Sequence, residues 1–306
     1  MPLASPYAAL LAELPVRSRE IALLGSATRL WEYGEPDAAT TLLLVHGYRG
    51  DHHGLEPLVA QLRGIRVVAS DLPGFGLSSP MTEARHDIAG YARWLGALVG
   101  ALGVGGPGLE GTGAVVLGHS FGSIVVAHAV AAGEIAPGRI VLVNPIAALP
   151  AGGWRGLGTR ALVGAHRLAG ALGDRAGGWL IGNALVVRAM SAGMAVTREP
   201  GLRRWIHEEH GRYFSAFSDI RTVLEAFRAS VSHTVAEVAE RLPMPVLLIG
   251  AERDQISAAS AVRALAERMP RSTLVMLDGV GHLVHYEKPR EAAVAIVDWL
   301  GVGALA

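Results

Sequence analysis

Short apolar runs, each the length of a buried β-strand, recur along the chain and constrain its fold more than any other feature. They are rich in Val, Ile and Leu without strict alternation, which is typical of strands covered on both faces. These runs are Thr41 to Val45, Val67 to Ser70, Ala114 to Leu117, Ile140 to Val143, Val246 to Ile249 and Thr273 to Leu277. Most are separated by stretches with apolar residues at helical spacing, such as Asp87 to Leu102 and Pro289 to Leu300. The alternation predicts an α/β fold, a mostly parallel sheet with helices on both faces.

One long segment, from about residue 147 to residue 236, interrupts this alternation. It contains no convincing strand, only helix-like pieces separated by Gly and Pro. It also holds a large share of the aromatic residues: Trp154, Trp179, Trp205, Tyr213, Phe214, Phe217 and Phe227. We therefore predict an inserted helical cap at 147–236, with the α/β core divided into residues 1–146 and 237–306.

Composition excludes several classes of function. The chain has 306 residues, of which 51% are hydrophobic and 18% charged, so a large globular core is expected. Lys+Arg and Asp+Glu balance at 27 each, which argues against a nucleic-acid partner or a polybasic membrane patch. The absence of cysteine excludes disulfides, a thiolate nucleophile and a cysteine-based metal site. The first residues lack a secretory pattern, so a cytoplasmic location is expected.

The stretch 111–133 carries no formal charge and is long enough to span a bilayer. A glycine-flanked serine motif lies in its middle, however, so we interpret it as a buried strand followed by a buried helix. No membrane association is expected.

That motif is Gly118-His119-Ser120-Phe121-Gly122, a G-x-S-x-G pattern directly after the run Ala114 to Leu117. A strand, a sharp turn and a helix form the context in which the pattern has a mechanical meaning. The turn forces the serine into a strained conformation, and the flanking glycines lack the Cβ atoms that would clash. Ser120 is therefore the candidate nucleophile.

A serine nucleophile needs a base to take its proton and an acid to orient that base. His282 follows the run Thr273 to Leu277 and is the candidate base. Asp254 follows the run Val246 to Ile249 and is the candidate acid. These strand ends lie on the same edge of a parallel sheet, where ligand sites collect.

A developing oxyanion needs hydrogen-bond donors. His46-Gly47-Tyr48 follows the first core strand, so the backbone N–H of Tyr48 can point to the same place as that of Phe121. Two such donors typically lower the barrier by several kcal/mol.

Together these motifs resemble the α/β-hydrolase superfamily, close to its lid-bearing esterase and C–C-bond hydrolase members. The matching segments are His46-Gly47-Tyr48, Asp71 to Ser78, Gly118 to Gly122, Gly250 to Asp254 and Gly281-His282. The resemblance implies an eight-stranded sheet, a cap at the inserted segment and a substrate pocket between core and cap. Epoxide hydrolases and haloalkane dehalogenases are disfavoured, since they carry an aspartate where Ser120 stands.

Several side chains compete for the assigned roles. His285 lies three residues after His282, but the Gly281-His282 junction fits the family better. Glu252 and Asp278 are alternative acids, although Asp254 has the expected offset from its strand. Some relatives place the acid where this chain has Asn144, which cannot serve as an anion.

One group outside these motifs suggests metal ligation. It consists of His207, His210 and Asp219, but its spacing does not match H-E-x-x-H, so a solvated cap helix is the preferred interpretation.

The sequence thus predicts a serine hydrolase without cofactor or metal, acting on a small to medium apolar carboxylic ester or lactone. C–C bond hydrolysis by the same residues is an alternative, with a substrate carboxylate held by a cap arginine (Arg155, Arg160, Arg188, Arg203 or Arg204). A non-catalytic binding protein on the same fold is an alternative of another class. The oligomeric state stays open between a monomer and a homodimer.

Overall fold

The computed structural model describes residues 3–104, 114–149 and 154–302, with the side chains of residues 154–161 outside this description. Eight strands form one sheet: β1 (Val16–Leu23), β2 (Ser26–Tyr33), β3 (Thr41–Val45), β4 (Arg66–Ser70), β5 (Ala114–His119), β6 (Arg139–Val143), β7 (Val246–Ala251) and β8 (Ser272–Leu277). Their order across the sheet is β1-β2-β4-β3-β5-β6-β7-β8. In this order, the six neighbouring strands β4, β3, β5, β6, β7 and β8 pair in parallel. The predicted fold class is confirmed, and the six apolar runs are the six parallel strands.

The first two strands form an antiparallel hairpin that the search for apolar runs missed. The first five residues of β1 are exposed, and β2 alternates between buried and partly exposed positions. An edge hairpin buries little more than one face, so its sequence mixes charged and apolar residues. The turn at Leu24 and Gly25 has φ values of 47° and 74°, as tight hairpin turns require.

Helices follow most of the strands, at bounds close to those expected from apolar spacing. The described residues form α1 (Ala8–Ala12), α2 (His52–Val59), α3 (Ile88–Leu102), α4 (Phe121–Ala131), α5 (Trp154–Gly182), α6 (Ala184–Met194), α7 (Pro200–Tyr213), α8 (Ile220–Ser232), α9 (Ala259–Glu267), α10 (Val284–Glu287) and α11 (Pro289–Leu300). Two 3₁₀ turns, Val235–Glu237 and Ala239–Arg241, lead from α8 towards β7.

Side chains of the central strands alternate between two hydrophobic layers. In β3, Leu43 and Val45 pack in the layer formed with α3, α4 and α9. Leu42 and Leu44 pack in the opposite layer, with α2 and α11. Both faces of the sheet are therefore covered, which explains why the strands are apolar throughout.

The segment between β6 and β7 is helical, with α5 to α8 and, within the residues described, no named strand. Helical geometry in α5 is broken at Gly173, where φ is 75° and ψ is −176°. The cap meets the core where the N–H of Gly76 donates to the carbonyl of Ala216 at 2.8 Å. The exact domain bounds stay a prediction.

The charge-free stretch 111–133 contains β5 and α4 in its described part, as the sequence predicted. Among the described helices, none combines the length and the apolar character needed to cross a membrane.

Candidate active site

Ser120 lies between β5 and α4, at the carboxyl edge of the parallel strands. Its φ of 52° and ψ of −116° are strained for a residue with a side chain. The N–H of Ser120 donates to the carbonyl of Val143 at 3.0 Å, which fixes the turn against β6. The serine hydroxyl therefore projects from the sheet edge, away from the helix that follows.

Two glycines make this sharp turn sterically accessible. A Cβ on Gly118 would lie 2.4 Å from the carbonyl oxygen of Gly122, and a Cβ on Gly122 would lie 2.1 Å from that of Val45. Both obstacles are backbone atoms that cannot rotate away. The first and last positions of the motif are glycine because α4 starts in contact with the strands.

Replacing Gly122 with alanine should therefore destabilise the protein by about 3 kcal/mol or more, because strand β3 must move to admit the methyl group. Thermal unfolding followed by circular dichroism measures the effect. Gly100→Ala is the matched control: the site lies in α3, and beyond the neighbouring backbone of that helix no atom lies within 4 Å of the added carbon. That control should gain about 0.5–1 kcal/mol from helix propensity. Equal melting temperatures for the two variants would contradict the steric account.

The three side chains predicted to be catalytic meet in one hydrogen-bonded chain. His282 Nε2 lies 2.7 Å from Ser120 Oγ, and His282 Nδ1 lies 2.8 Å from Asp254 Oδ2. His282 and Asp254 are 3% and 6% exposed, whereas Ser120 is partly open to solvent. Because Nδ1 faces a carboxylate, it carries the proton, and Nε2 accepts the hydrogen bond from the serine hydroxyl.

The carboxylate of Asp254 is held by several donors. Its Oδ1 accepts from the N–H groups of Ile256 at 2.8 Å and Ser257 at 3.0 Å. Burial alone would raise the pKa of Asp254, but the nearby His282 and these hydrogen bonds outweigh burial and lower it. Asp254 thus stays ionised and can orient the imidazole.

Asn144 also contacts Asp254. From the sequence, this residue was considered only as a position where some relatives carry the acid. Its Nδ2 donates to Asp254 Oδ2 at 3.0 Å and to the carbonyl of Gly281 at 3.3 Å. Asn144 has a φ of 47°, at the turn that ends β6. The amide therefore links the acid to the loop that carries His282.

The competing candidates lie elsewhere. Glu252 is at the surface and pairs with Arg263, and the exposed Asp278 accepts from the N–H of Gly279. His285 is buried against His119, with ring centroids 4.0 Å apart.

The predicted oxyanion donors come from two adjacent loops. A Cβ on Gly47 would lie 3.2 Å from Ser120 Cβ, so the loop after β3 passes directly over the serine. Within the described residues, the N–H groups of Tyr48 and Phe121 donate to no protein acceptor. Both are available to an external oxygen, and their role stays a prediction.

Tyr48 also connects the core to the cap through its side chain. Its hydroxyl lies 2.9 Å from Nε2 of His166 in α5. Burial lowers the pKa of His166 to about 4, so this imidazole is neutral. His166 Nδ1 donates to the carbonyl of Leu162 at 2.8 Å, which leaves Nε2 to accept from the tyrosine. One residue thus supplies a candidate oxyanion donor and holds the cap.

Arg49, the next residue, is a buried cation that the sequence analysis did not single out. It is 1% exposed and has a φ of 61°. Its Nε donates to the carbonyl of Phe214 at 2.8 Å, and its Nη2 to that of Ile181 at 3.1 Å. Both carbonyls lie at the carboxyl ends of cap helices, α7 and α5, where the helix dipole favours a cation. No sequence pattern marked this arginine, because its acceptors are backbone atoms far along the chain.

A sequence profile described as the alpha/beta hydrolase family matches residues 42–296. The chain belongs to the alpha/beta hydrolase family. The match covers the two loops that carry Tyr48 and Ser120 and continues beyond His282.

Solved structures of this α/β hydrolase fold are similar over nearly the whole chain. A thermophilic esterase from Thermogutta terrifontis is 22% identical with a TM-score of 0.70, covering 93% of this chain and 98% of that one. The hydrolase MGS-M2 from a Medee basin deep-sea metagenome is 17% identical with a TM-score of 0.72, covering 94% and 99%. A haloalkane dehalogenase loop variant from Bradyrhizobium elkanii is 16% identical with a TM-score of 0.69, covering 94% and 97%. These likenesses show the fold, which is common to enzymes of different chemistry.

Two histidines of α7, His207 and His210, were expected on a solvated face of the cap, and the structure of this α/β hydrolase places them inside. His207 and His210 are buried, not solvated, and their Nδ1 atoms lie 2.6 and 2.7 Å from the hydroxyl of Ser191. They face inward because α7 packs against α6, which carries that serine. Asp219 caps α8 by accepting from the N–H of Thr222 at 2.8 Å. The three side chains therefore do not form a metal site.

A cavity of about 320 Å³ opens beside the loop of Asp254. Its lining residues come from the cap and from core loops: Val196, Thr197, Arg198, Arg253, Gly279, Glu287 and Lys288. Three cations and a carboxylate make it unsuited to an apolar substrate, and Ser120 is not in its wall.

Proposed function

We propose that this α/β hydrolase is a serine hydrolase that cleaves a small to medium apolar carboxylic ester or lactone through an acyl-enzyme. One observation carries the proposal: the continuous chain from Ser120 Oγ through His282 to Asp254, with 2.7 and 2.8 Å between its members. Hydrogen-bonded nucleophile, base and orienting acid are what nucleophilic catalysis by serine requires.

In this mechanism Ser120 Oγ attacks the substrate carbonyl while His282 Nε2 takes the hydroxyl proton. Asp254 stabilises the imidazolium, and the N–H groups of Tyr48 and Phe121 donate to the oxyanion. Collapse of the tetrahedral intermediate breaks the ester bond, and His282 returns the proton to the leaving alkoxide. A water molecule, deprotonated by His282, then attacks the acyl-enzyme, and the regenerated serine takes the proton back.

An apolar substrate is favoured by the aromatic surroundings of the oxyanion loop. The ring of Tyr48 lies 5.9 Å from that of Phe75 in the core and 5.7 Å from that of Phe227 in the cap. Phe75 and Phe227 are themselves buried, so these rings surround the oxyanion loop with apolar atoms and exclude water from it. A substrate with a hydrophobic acyl or alcohol part therefore fits better than a charged one.

The C–C hydrolase alternative needs a cation near the substrate carboxylate. Of the cap arginines considered for this role, Arg188, Arg203 and Arg204 are exposed. Arg155 and Arg160 have side chains outside the described residues. No observation therefore favours that activity over ester hydrolysis.

A substrate panel tests the proposal. Aryl esters of increasing chain length, a set of lactones and one meta-cleavage product are compared by kcat/KM. We expect measurable turnover of esters or lactones, with kcat/KM rising with acyl length over the first few carbons. If only the meta-cleavage product were turned over, the proposed activity would be C–C hydrolysis and not ester hydrolysis. Inertness towards every substrate, together with no labelling by a fluorophosphonate, would favour the non-catalytic binding protein.

The acid limb of the pH profile should report a single group. His282 must be neutral to accept the serine proton, so kcat/KM should fall tenfold per pH unit once this imidazole is protonated. Burial lowers the pKa of His119 to about 3 and holds that of His285 well below its ordinary value, so neither imidazole is charged near neutral pH. Asp254 has a lowered pKa and stays ionised. A flat profile down to pH 4 would argue against a histidine base.

A further inference from the structure

Three metal-ligating side chains meet at the surface where the cap returns to the core. His128 lies on α4, His233 ends α8, and Glu237 lies in the 3₁₀ turn that follows. Their ligand atoms all lie within 4.8 Å of one another. His233 Nδ1 is 3.0 Å and His128 Nε2 is 3.7 Å from Glu237 Oε2.

The spacing is close to that of ligands around a zinc ion. With metal–ligand bonds of about 2.0–2.1 Å and tetrahedral angles, neighbouring ligand atoms lie about 3.3–3.4 Å apart. The two distances to Glu237 Oε2 lie on either side of this value, and the two histidine nitrogens lie within 4.8 Å of each other, so side-chain adjustment can bring all three around one ion. Two imidazoles and one carboxylate are a ligand set that binds Zn²⁺ and leaves the fourth position to water.

The carboxylate is oriented before any metal arrives. Glu237 Oε1 accepts from the N–H of Thr234 at 2.8 Å, in a capping box that also includes the threonine hydroxyl. Oε2 is thereby turned towards the two histidines. Partners that hold a ligand in place in this way commonly raise metal affinity tenfold or more.

Two of the ligand atoms are hydrogen-bonded to each other before a metal binds. His233 Nδ1 donates to Glu237 Oε2 at 3.0 Å. In the metal-free protein, His128 Nε2 lies 3.1 Å from the carbonyl of Thr234 and donates to it. Metal binding exchanges these two hydrogen bonds for metal–ligand bonds.

We propose that His128, His233 and Glu237 form a binding site for a divalent transition-metal ion, Zn²⁺ above all, separate from the catalytic centre. The ion would join α4, the helix that starts next to Ser120, to the last residues of the cap. Its effect is to restrain the hinge of the cap, the segment from His233 to Glu237 where the chain returns to the core.

The other group of this kind in the described chain serves as a contrast. In Asp51, His52 and His53 the ligand atoms hold the start of α2 in place. His52 Nδ1 donates to Asp71 at 3.0 Å, and Asp51 caps α2 by accepting from the N–H of His53. Binding there would break the start of α2.

The test is calorimetric titration of untagged, chelator-treated protein with ZnCl₂. We expect one Zn²⁺ per chain, with affinity reduced at least about tenfold in His233→Ala and in Glu237→Gln. The glutamine variant keeps a side-chain oxygen for the N–H of Thr234, so the capping box stays formed. His53→Ala is the matched control and should bind as the parent does. Unchanged affinity in both ligand variants, or no stoichiometric binding by the parent protein, would overturn the proposal.

Hydrogen exchange tests the effect on the hinge. Zn²⁺ should slow amide exchange in the segment around His233 in the parent protein and in His53→Ala. It should leave exchange unchanged in Glu237→Gln. Protection confined to the region of Asp51 to His53 would overturn the assignment of the site.

Discussion

Ser120→Ala is expected to lower kcat for ester hydrolysis by at least about 10⁴-fold while leaving the melting temperature nearly unchanged. The variant loses the hydroxyl that forms the acyl-enzyme in the proposed mechanism, and the site would retain only binding and oxyanion contacts. Steady-state kinetics on the best substrate of the panel measure the loss. A fluorophosphonate should label the parent protein at Ser120 and leave the variant unlabelled.

Ser218→Ala is a suitable control for this experiment. Ser218 is exposed, and its backbone N–H, which the substitution keeps, donates to the carbonyl of Gly74 at 3.0 Å. Its turnover and its labelling should equal those of the parent. Undiminished activity in Ser120→Ala would require another nucleophile and would contradict the role proposed for Ser120.

Asp254→Asn should lower kcat by about 10⁴-fold, with KM changed much less. The amide cannot stabilise the imidazolium, and its NH₂ group would turn the imidazole to the wrong tautomer, with Nε2 protonated and unable to accept from Ser120. The hydrogen bonds from Ile256 and Ser257 to Oδ1 can be kept by the amide oxygen, and only the one from Asn144 to Oδ2 is lost. Circular dichroism should therefore show a folded protein, so the loss is chemical.

The two carboxylates weighed against Asp254 provide matched controls. Glu252→Gln and Asp278→Asn remove the same charge within a few residues of Asp254 and His282, at the surface. Each should retain at least about half of the parental kcat, since exposed charges act weakly through solvent. A loss in Glu252→Gln as large as in Asp254→Asn would move the acid role to Glu252.

The parallel core was predictable from the sequence because each of its strands is buried on both faces and therefore uniformly apolar. β1 and β2 were missed for the opposite reason, since an exposed edge hairpin needs only partial burial. The buried positions of His207 and His210 were also missed. They depend on how α7 rests against α6, which is decided by packing and not by local pattern.

The candidate site could be predicted where a motif ties a residue to a strand end. Ser120, Asp254 and His282 each follow a strand, and the structure brings them together. The contacts of Asn144 and Arg49 were not predicted. Asn144 binds a side chain 110 positions away, and Arg49 binds backbone carbonyls of the cap. Such pairings leave no periodic signal in one sequence.

The buried guanidinium of Arg49 constrains how this enzyme can evolve. Its acceptors are carbonyls of Ile181 and Phe214, so a cap from a relative retains them only if two of its helices end in the same places. Otherwise the charge is left buried without partners, at a cost of about 3–5 kcal/mol. Exchange of the cap should therefore succeed only when the new helices end in the same places or when residue 49 is replaced in the same step.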